Sequence, residues 1–150
     1  VEAAEEMFNA VNTSLPVDAA IFAAAVADWR VTSAASHKLK KSQQGLPALE
    51  LAENPDILAT VSQMKKGRPK LVVGFAAETD DVAANATAKR DRKGCDWIVA
   101  NDVSPETGIM GGSENAVTLI TADGSEDWPR MGKEAVAEKL AMRVAQALID

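Results

Sequence analysis

Residues Ile21–Lys41 read IFAAAVADWRVTSAASHKLKK, an apolar run followed by an acid, a bridge of small residues and three closely spaced lysines. The apolar part, taken with its flank as Asp18 to Ala27, is long enough for a strand. A run without polar alternation suits a strand covered on both faces, as in a parallel sheet flanked by helices. Asp28 then marks the carboxyl end of that strand, the edge at which open parallel α/β sheets collect ligands. Lys38, Lys40 and Lys41 follow behind the arm Trp29 to Ser36 and read as a basic flap able to fold over an anion. The competing reading of so short a basic run is a solvated surface.

Working outward, the sequence alternates between helical and strand patterns. Ala4, Met7, Phe8 and Val11 recur at helical spacing and predict a helix over residues 2–13, ending before Leu15-Pro16. Trp29 to Gly45 is polar and irregular and Ala48 to Leu51 alternates, which predicts a two-stranded excursion over residues 29–51, of a kind that often forms dimer contacts. Asn54-Pro55-Asp56 is a helix start, with Asn54 as N-cap, Pro55 at the first helical position and Asp56 in the first turn. That helix is expected to run to about Lys66, before Gly67 and Pro69. Lys70 to Phe75, KLVVGF, is a second buried strand. Thr79 or Asp80 caps a further helix that reaches Lys93 and stops at Gly94.

Asp96 to Ala100 is the next strand, with Asn101-Asp102 beyond its end at the ligand-facing edge. Ser104 to Glu114, with Pro105, Gly108, Gly111 and Gly112, reads as a flexible, unpacked loop. Ala116 to Thr121 is a strand, Asp123-Gly124 a hairpin turn leading to a short return strand up to Pro129, and Lys133 to Leu148 a closing helix. The alternation predicts one α/β domain, a three-layer, mostly parallel Rossmann-like sheet with a flap and dimerisation excursion.

Composition narrows the function. With 150 residues, 47% of them hydrophobic, the chain can bury a core of its own. A net charge of −6 argues against a nucleic-acid or membrane-surface partner, either of which favours a basic face. The longest apolar run, about nine residues, is far below the ~20 of a membrane span. Cys95 is the sole cysteine and His37 the sole histidine, so neither an internal disulfide nor a histidine-based triad or metal site is available. A reducing cytoplasm is the simplest setting. Val1 opens directly into a helical pattern without Met, as expected of a piece of a longer protein.

Four features carry candidate chemistry, each beside a plainer reading. Lys89 and Lys93 lie four apart on a helix and can grip one polyphosphate, or belong to a solvated face together with Arg90 and Arg92. The helix start Asn54-Pro55-Asp56-Ile57 offers backbone N–H groups to an anion, or is merely a cap. Phe75, ahead of the small residues Ala76 and Ala77, can stack on a planar ring, or belongs to the core. Cys95, where a helix ends against a strand, reads as buried and inert. Neither a phosphate-binding GxxxxGK[ST] loop nor a dinucleotide GxGxxG fingerprint occurs.

Taken together, AAAVADWR, HKLKK, NPDIL, VVGFAAET, AKRDRKGCDWIVAND and NAVTLI, in this order and spacing, resemble the phosphopantothenoylcysteine synthetase family. In bacteria that synthetase is usually the second half of a bifunctional decarboxylase/synthetase of coenzyme A biosynthesis. The resemblance spans essentially the whole chain. It implies a CTP-dependent phosphopantothenate–cysteine ligase: the carboxylate of 4'-phosphopantothenate attacks CTP to give an acyl-cytidylate and pyrophosphate, and cysteine displaces CMP to form an amide. Lys38 resembles the catalytic flap lysine that neutralises the triphosphate, and Asp28 the acid of the nucleotide site, a candidate ligand for Mg2+ carried by the triphosphate. Ala24 matches a small residue lining that site. Pro55, Asp56, Ile57 and Leu58 match the helix start that meets the nucleotide, Phe75 the residue beside the cytosine, and Lys89 and Lys93 the lysines reaching CTP. FMN would serve only the absent decarboxylase half.

Such chemistry agrees with elementary electrostatics. A carboxylate approaching a triphosphate is repelled until cations neutralise the charge, and a closing flap also shields the acyl-cytidylate from water. The resemblance also implies a homodimer, and a higher oligomer in the bifunctional protein. The family's N-terminal βα unit, with its phosphate loop and the Asn that contacts phosphopantothenate, has no counterpart in this chain. Weak CTP binding without complete catalysis is therefore expected of these residues alone. Two other classes compete: an NAD-binding oxidoreductase domain, which would want the missing glycine fingerprint, and a non-catalytic α/β assembly module.

Overall fold

The structure, a computed structural model, describes residues 1–32, 48–109 and 111–149. The expectations placed on His37, Lys38, Lys40 and Lys41 lie outside the described residues. Strand β4 (Leu71–Glu78) is the spine. Its first residues are apolar and include β-branched Val72 and Val73, which suits a strand covered on both faces, and alternate side chains enter opposite cores. Val72 and Ala76 join one cluster with Ile98, Ala100 and Ile120, while Leu71 and Val73 join another with Val99, Val117 and Leu119.

Five strands line up in the order β1-β4-β5-β6-β7. β1 (Ala19–Phe22) lies parallel to β4, in register from Ala19 opposite Leu71 to Phe22 opposite Gly74. β5 (Trp97–Asp102) runs parallel to β4 on its other side. β6 (Glu114–Thr121) and β7 (Gly124–Gly132) complete the sheet as an antiparallel hairpin, turning at Gly124, whose φ of 136° favours glycine. Helices α1 (Ala4–Ser14), α2 (Ile57–Ser62) and α3 (Val82–Lys93) cover one face through Met7, Phe8, Val11, Ile57, Val61 and Ala86. Helix α4 (Lys133–Ile149) covers the other with Val136, Leu140 and Val144, a stripe of period four, against Trp128. The result is the expected three-layer α/β architecture with a mostly parallel sheet. Outside it, β2 (Trp29–Val31) and β3 (Leu51–Glu53) pair antiparallel as a separate two-stranded sheet, whose second strand begins at Leu51 where the alternation of Ala48 to Leu51 places its end.

Several local expectations are corrected. β1 is an edge strand of four residues with Ile21 47% exposed, so it is neither long nor buried on both faces. Residues 23–27 are apolar because they are mostly alanine, and small residues serve a loop against a cleft as well as a strand. Asp28 therefore stands at the foot of β2, well past the end of β1. The N-cap of α2 is Asp56, whose Oδ1 accepts from Ala59 N at 3.0 Å, because Asn54 is committed elsewhere: its Nδ2 donates to Ala27 O at 2.8 Å. Pro55 precedes the cap. The helix stops at Ser62 rather than Lys66, where Arg68 Nε donates to Ser62 O at 2.7 Å and takes up a terminal carbonyl.

Phe75 to Glu78 continues β4, because Phe75–Glu78 pairs with Val99–Asp102, and Asn101-Asp102 consequently lies within β5. Asp102 Oδ1 accepts from Ser104 N at 2.8 Å in a local turn, and the Ser104 hydroxyl first and this N–H second lower its carboxyl pKa. The cap of α3 is Asp81, not Thr79 or Asp80, while Gly94 ends it in the left-handed region as expected. The loop after β5 is packed, not loose: Ser104 and Ile109 are buried, Pro105–Thr107 forms a 3-10 turn, and Arg130 Nη1 donates to Thr107 O at 2.9 Å. β7 runs on past Pro129 to Gly132 because its partner β6 is equally extended.

Candidate functional site

The carboxyl ends of parallel β1 and β4 are uneven. Pairing stops at Phe22 opposite Gly74, and β4 continues alone on that side. The step leaves a cleft roofed by the loop 24–28, closed on one flank by the start of α2 and on the other by α3. It is lined by Ala24, Asp28, Pro55, Asp56, Ile57, Leu58, Phe75, Lys89 and Lys93, together with Met7, Phe22, Val26, Ala27 and Asn54. Nine of the ten residues nominated from the sequence thus meet in one place, and the tenth, Lys38, lies outside the described residues.

Gly74 makes the approach of α2 possible. A Cβ there would lie 2.6 Å from Leu58 Cδ2 and 2.9 Å from Ile98 Cδ1, so only a bare α-carbon lets Leu58 sit against the sheet. Leu58 and Ile57 in turn fix the first turn of α2 beside the end of β1. The two helix lysines follow from period 3.6: Lys89 and Lys93, one turn apart, both face this cleft. Arg90 turns away, donating to Asp96 O at 3.0 Å and pairing with Asp91. The helix thus brings Lys89 and Lys93 to the cleft and turns Arg90 away from it.

Each lysine has a distinct partner. Lys89 Nζ donates to Phe75 O at 2.9 Å, on the stretch of β4 that has lost its β1 neighbour. Lys93 Nζ pairs with Asp56 Oδ2. Burial pushes the Asp56 carboxyl up, but the Lys93 hydrogen bond, the Ala59 N–H and the charges of Lys93 and Arg92 outweigh it and hold the group below its ordinary value. Phe75 contributes its carbonyl here, while its side chain packs against the α4-side core. Asp28 is exposed on the rim, its own carbonyl accepting from Asn54 N at 2.8 Å.

Among the described residues no three His, Cys, Asp or Glu side chains gather as a metal cage. A magnesium ion brought by phosphates needs only one or two protein carboxylates, and Asp28 is a rim carboxylate that could supply one. Met7, Phe22, Val26 and Ala27 are the lining residues that sequence reasoning missed, while Asn54 belongs to the helix start already offered as an anion site. Met7 shares the apolar stripe that identifies α1, so it does not advertise a second role.

The fold and the cleft define the class: a three-layer α/β domain whose carboxyl-edge cleft sets two lysines among small and apolar walls. Over residues 1–148 the chain matches the family described as the DNA/pantothenate metabolism flavoprotein C-terminal domain, and it belongs to that family. It is 42% identical over 143 residues to the coenzyme A biosynthesis bifunctional protein CoaBC of Escherichia coli strain K12, covering 93% of this chain and 35% of that protein. The corresponding protein of Vibrio vulnificus strain YJ016 is 39% identical over 146 residues, 96% of this chain and 36% of its own length. The chain thus spans little more than a third of these relatives. A crystal structure of the C-terminal domain of a CoaBC protein superposes with a TM-score of 0.76 at 34% identity, covering 100% of this chain and 65% of that one. No described helix is long and apolar enough to cross a membrane.

Proposed function

We propose that the chain forms the nucleotide-binding part of a phosphopantothenate–cysteine ligase, in which CTP activates 4'-phosphopantothenate as an acyl-cytidylate before cysteine forms the amide. The observation that carries this reading is the meeting of Lys89 and Lys93 with the loop 24–28 and the α2 start in one cleft at the carboxyl edge. Lys89 and Lys93 hold the triphosphate, the loop around Ala24 and the first turn of α2 wall the nucleotide, and Phe75 borders the base. Lys38, on the flap, neutralises the triphosphate and excludes water. The described walls enclose about 160 Å³, below the ~300–1,000 Å³ of ordinary ligand pockets, which accords with a site completed by further residues such as the flap. Asp28 would hold the magnesium that travels with the phosphates, and bound there the ion would supply charge neutralisation. FMN has no part in this domain's chemistry.

The reading extends to a cytoplasmic homodimer joined through the excursion over residues 29–51. In support, Trp29, Val31, Leu49 and Leu51 of the two-stranded sheet and its flank are exposed at 56%, 38%, 63% and 59%, an apolar patch suited to a second copy. Calorimetric titration with CTP, ATP and NAD tests the function. CTP is expected to bind, NAD not to, and Lys38→Ala, Lys89→Ala and Lys93→Ala each to weaken CTP by about tenfold or more, the scale of a charged hydrogen bond. NAD binding would favour an oxidoreductase domain. Absence of nucleotide binding, or indifference to Lys38→Ala, would favour an assembly module.

A further inference from the structure

Lys93 occupies the last turn of α3 with its side chain only 18% exposed, so its ammonium depends on a protein acceptor. That acceptor is Asp56, and the carboxylate divides its work. Oδ1 accepts from Ala59 N at 3.0 Å and caps α2, while Oδ2 takes Lys93 Nζ. Lys89, one turn earlier, donates to a neutral carbonyl, Phe75 O. Of the two cleft lysines, then, one is neutralised by a formal charge and the other is not.

We infer that Asp56 is an internal counter-ion for Lys93, a residue that must yield the lysine before an anion takes it; the inference rests on the reading of the cleft as a triphosphate site. Asp56 cannot swing far when it yields, because the bond to Ala59 tethers it at the head of α2. The carboxylate therefore stays beside the incoming anion, opposes it, and recaptures Lys93 when the anion leaves. Asp56 sets the affinity of the site downward and speeds departure of the anion. Toward the anion it acts through Lys93, as a positioning residue.

The test is calorimetric titration of inorganic tripolyphosphate, in metal-free buffer, into the chain and its Asp56→Asn, Lys93→Gln and doubly substituted variants. Asn caps a helix as well as Asp, so α2 is kept while the charge goes. Asp56→Asn is expected to tighten tripolyphosphate by about three- to tenfold when Lys93 is present, and by less than about twofold in the Lys93→Gln background. Unchanged or weaker binding by Asp56→Asn, with Lys93→Gln still costing affinity, overturns the counter-ion inference alone. An equal gain in both backgrounds also overturns it, because the effect is then the general field of an acid. If Lys89→Gln and Lys93→Gln leave affinity unchanged, the cleft is not the triphosphate site and both readings fall. Asp56→Ser, also a strong cap, carries the same comparison should Asp56→Asn fail to fold.

Discussion

Replacing Gly74 by alanine pits two effects of opposite sign against each other. In most strand interiors glycine is the poorer residue, and Gly→Ala stabilises by ~0.5–1 kcal/mol, partly by restricting the unfolded chain. Here the new methyl would lie 2.6 Å and 3.3 Å from the two Leu58 methyls and 2.9 Å from Ile98 Cδ1, whereas carbon atoms sit ~3.5–4.0 Å apart. About 1 Å must be found. Ile98 is fully buried and has nowhere to go, while Leu58 is half-buried on the wall of the cleft, so Leu58 yields toward the cleft. Overpacking of this kind costs ~1–3 kcal/mol.

Set against the ~0.5–1 kcal/mol gain, Gly74→Ala should be less stable by up to about 2.5 kcal/mol, centred on ~1 kcal/mol, in urea denaturation. Because Leu58 is the group displaced, the same change should also weaken nucleotide binding in the cleft. Truncation at Leu58 should make Gly74→Ala cheaper, a coupling that a double-mutant cycle measures directly. Stability of Gly74→Ala above wild type, or strict additivity with Leu58→Ala, would refute the assignment of Gly74 as the space for Leu58.

Two further outcomes are expected. The Asp56 carboxyl is held below its ordinary value in the folded chain, so its stabilisation is fully present above the unfolded aspartate pKa of ~3.9 and is lost as pH falls through the folded value. Urea midpoints followed from about pH 6 to about pH 3 should fall less steeply in Asp56→Asn than in wild type, by a small margin because the side chain is 44% exposed; identical acid limbs would contradict the pairing. Cys95 is 4% exposed, and burial pushes its thiol up, outweighing the opposing hydrogen bond from its own backbone, while the Asp96 charge adds a smaller rise against Arg90 and Lys89. A disulfide reagent should therefore modify the native chain on the order of a hundredfold more slowly than the urea-unfolded chain, and comparable rates would mean that the thiol is reachable and activated.

How much of this was legible follows from what each residue signals. β4, β5, α3 and α4 carry periodicities long enough to be unambiguous, and Gly94 announces the end of α3. β1 does not, because alanine reads as apolar in a loop and a strand alike; the sequence shows how much hydrophobic length exists between Asp18 and Ala27, not where hydrogen bonding stops. Phe75 to Glu78 was hidden for the related reason that small residues after a strand resemble its end. The 104–114 loop was misjudged because Gly and Pro report backbone freedom, whereas its packing depends on Arg130, distant in sequence and invisible to local patterns.

The site shows the same division more sharply. Spacing alone set Lys89 and Lys93 on one helical face, a local fact that needs no fold. What those lysines meet is non-local. Asp56 follows Pro55 at a helix start, where the pattern reads it as a first-turn acid behind an Asn54 cap; in the structure it is itself the cap, through Oδ1. Its other oxygen meets a lysine 37 positions away, a pairing decided only when Gly74 lets α2 settle against β4 next to α3. The helix start points to an anion or nucleotide, but nothing local to it flags an ion pair with a residue so distant. The glycine that admits Leu58 and the acid that holds Lys93 are in this sense one arrangement: without the close approach of α2 there is no ion pair, and the cleft would present two unopposed lysines to any passing anion.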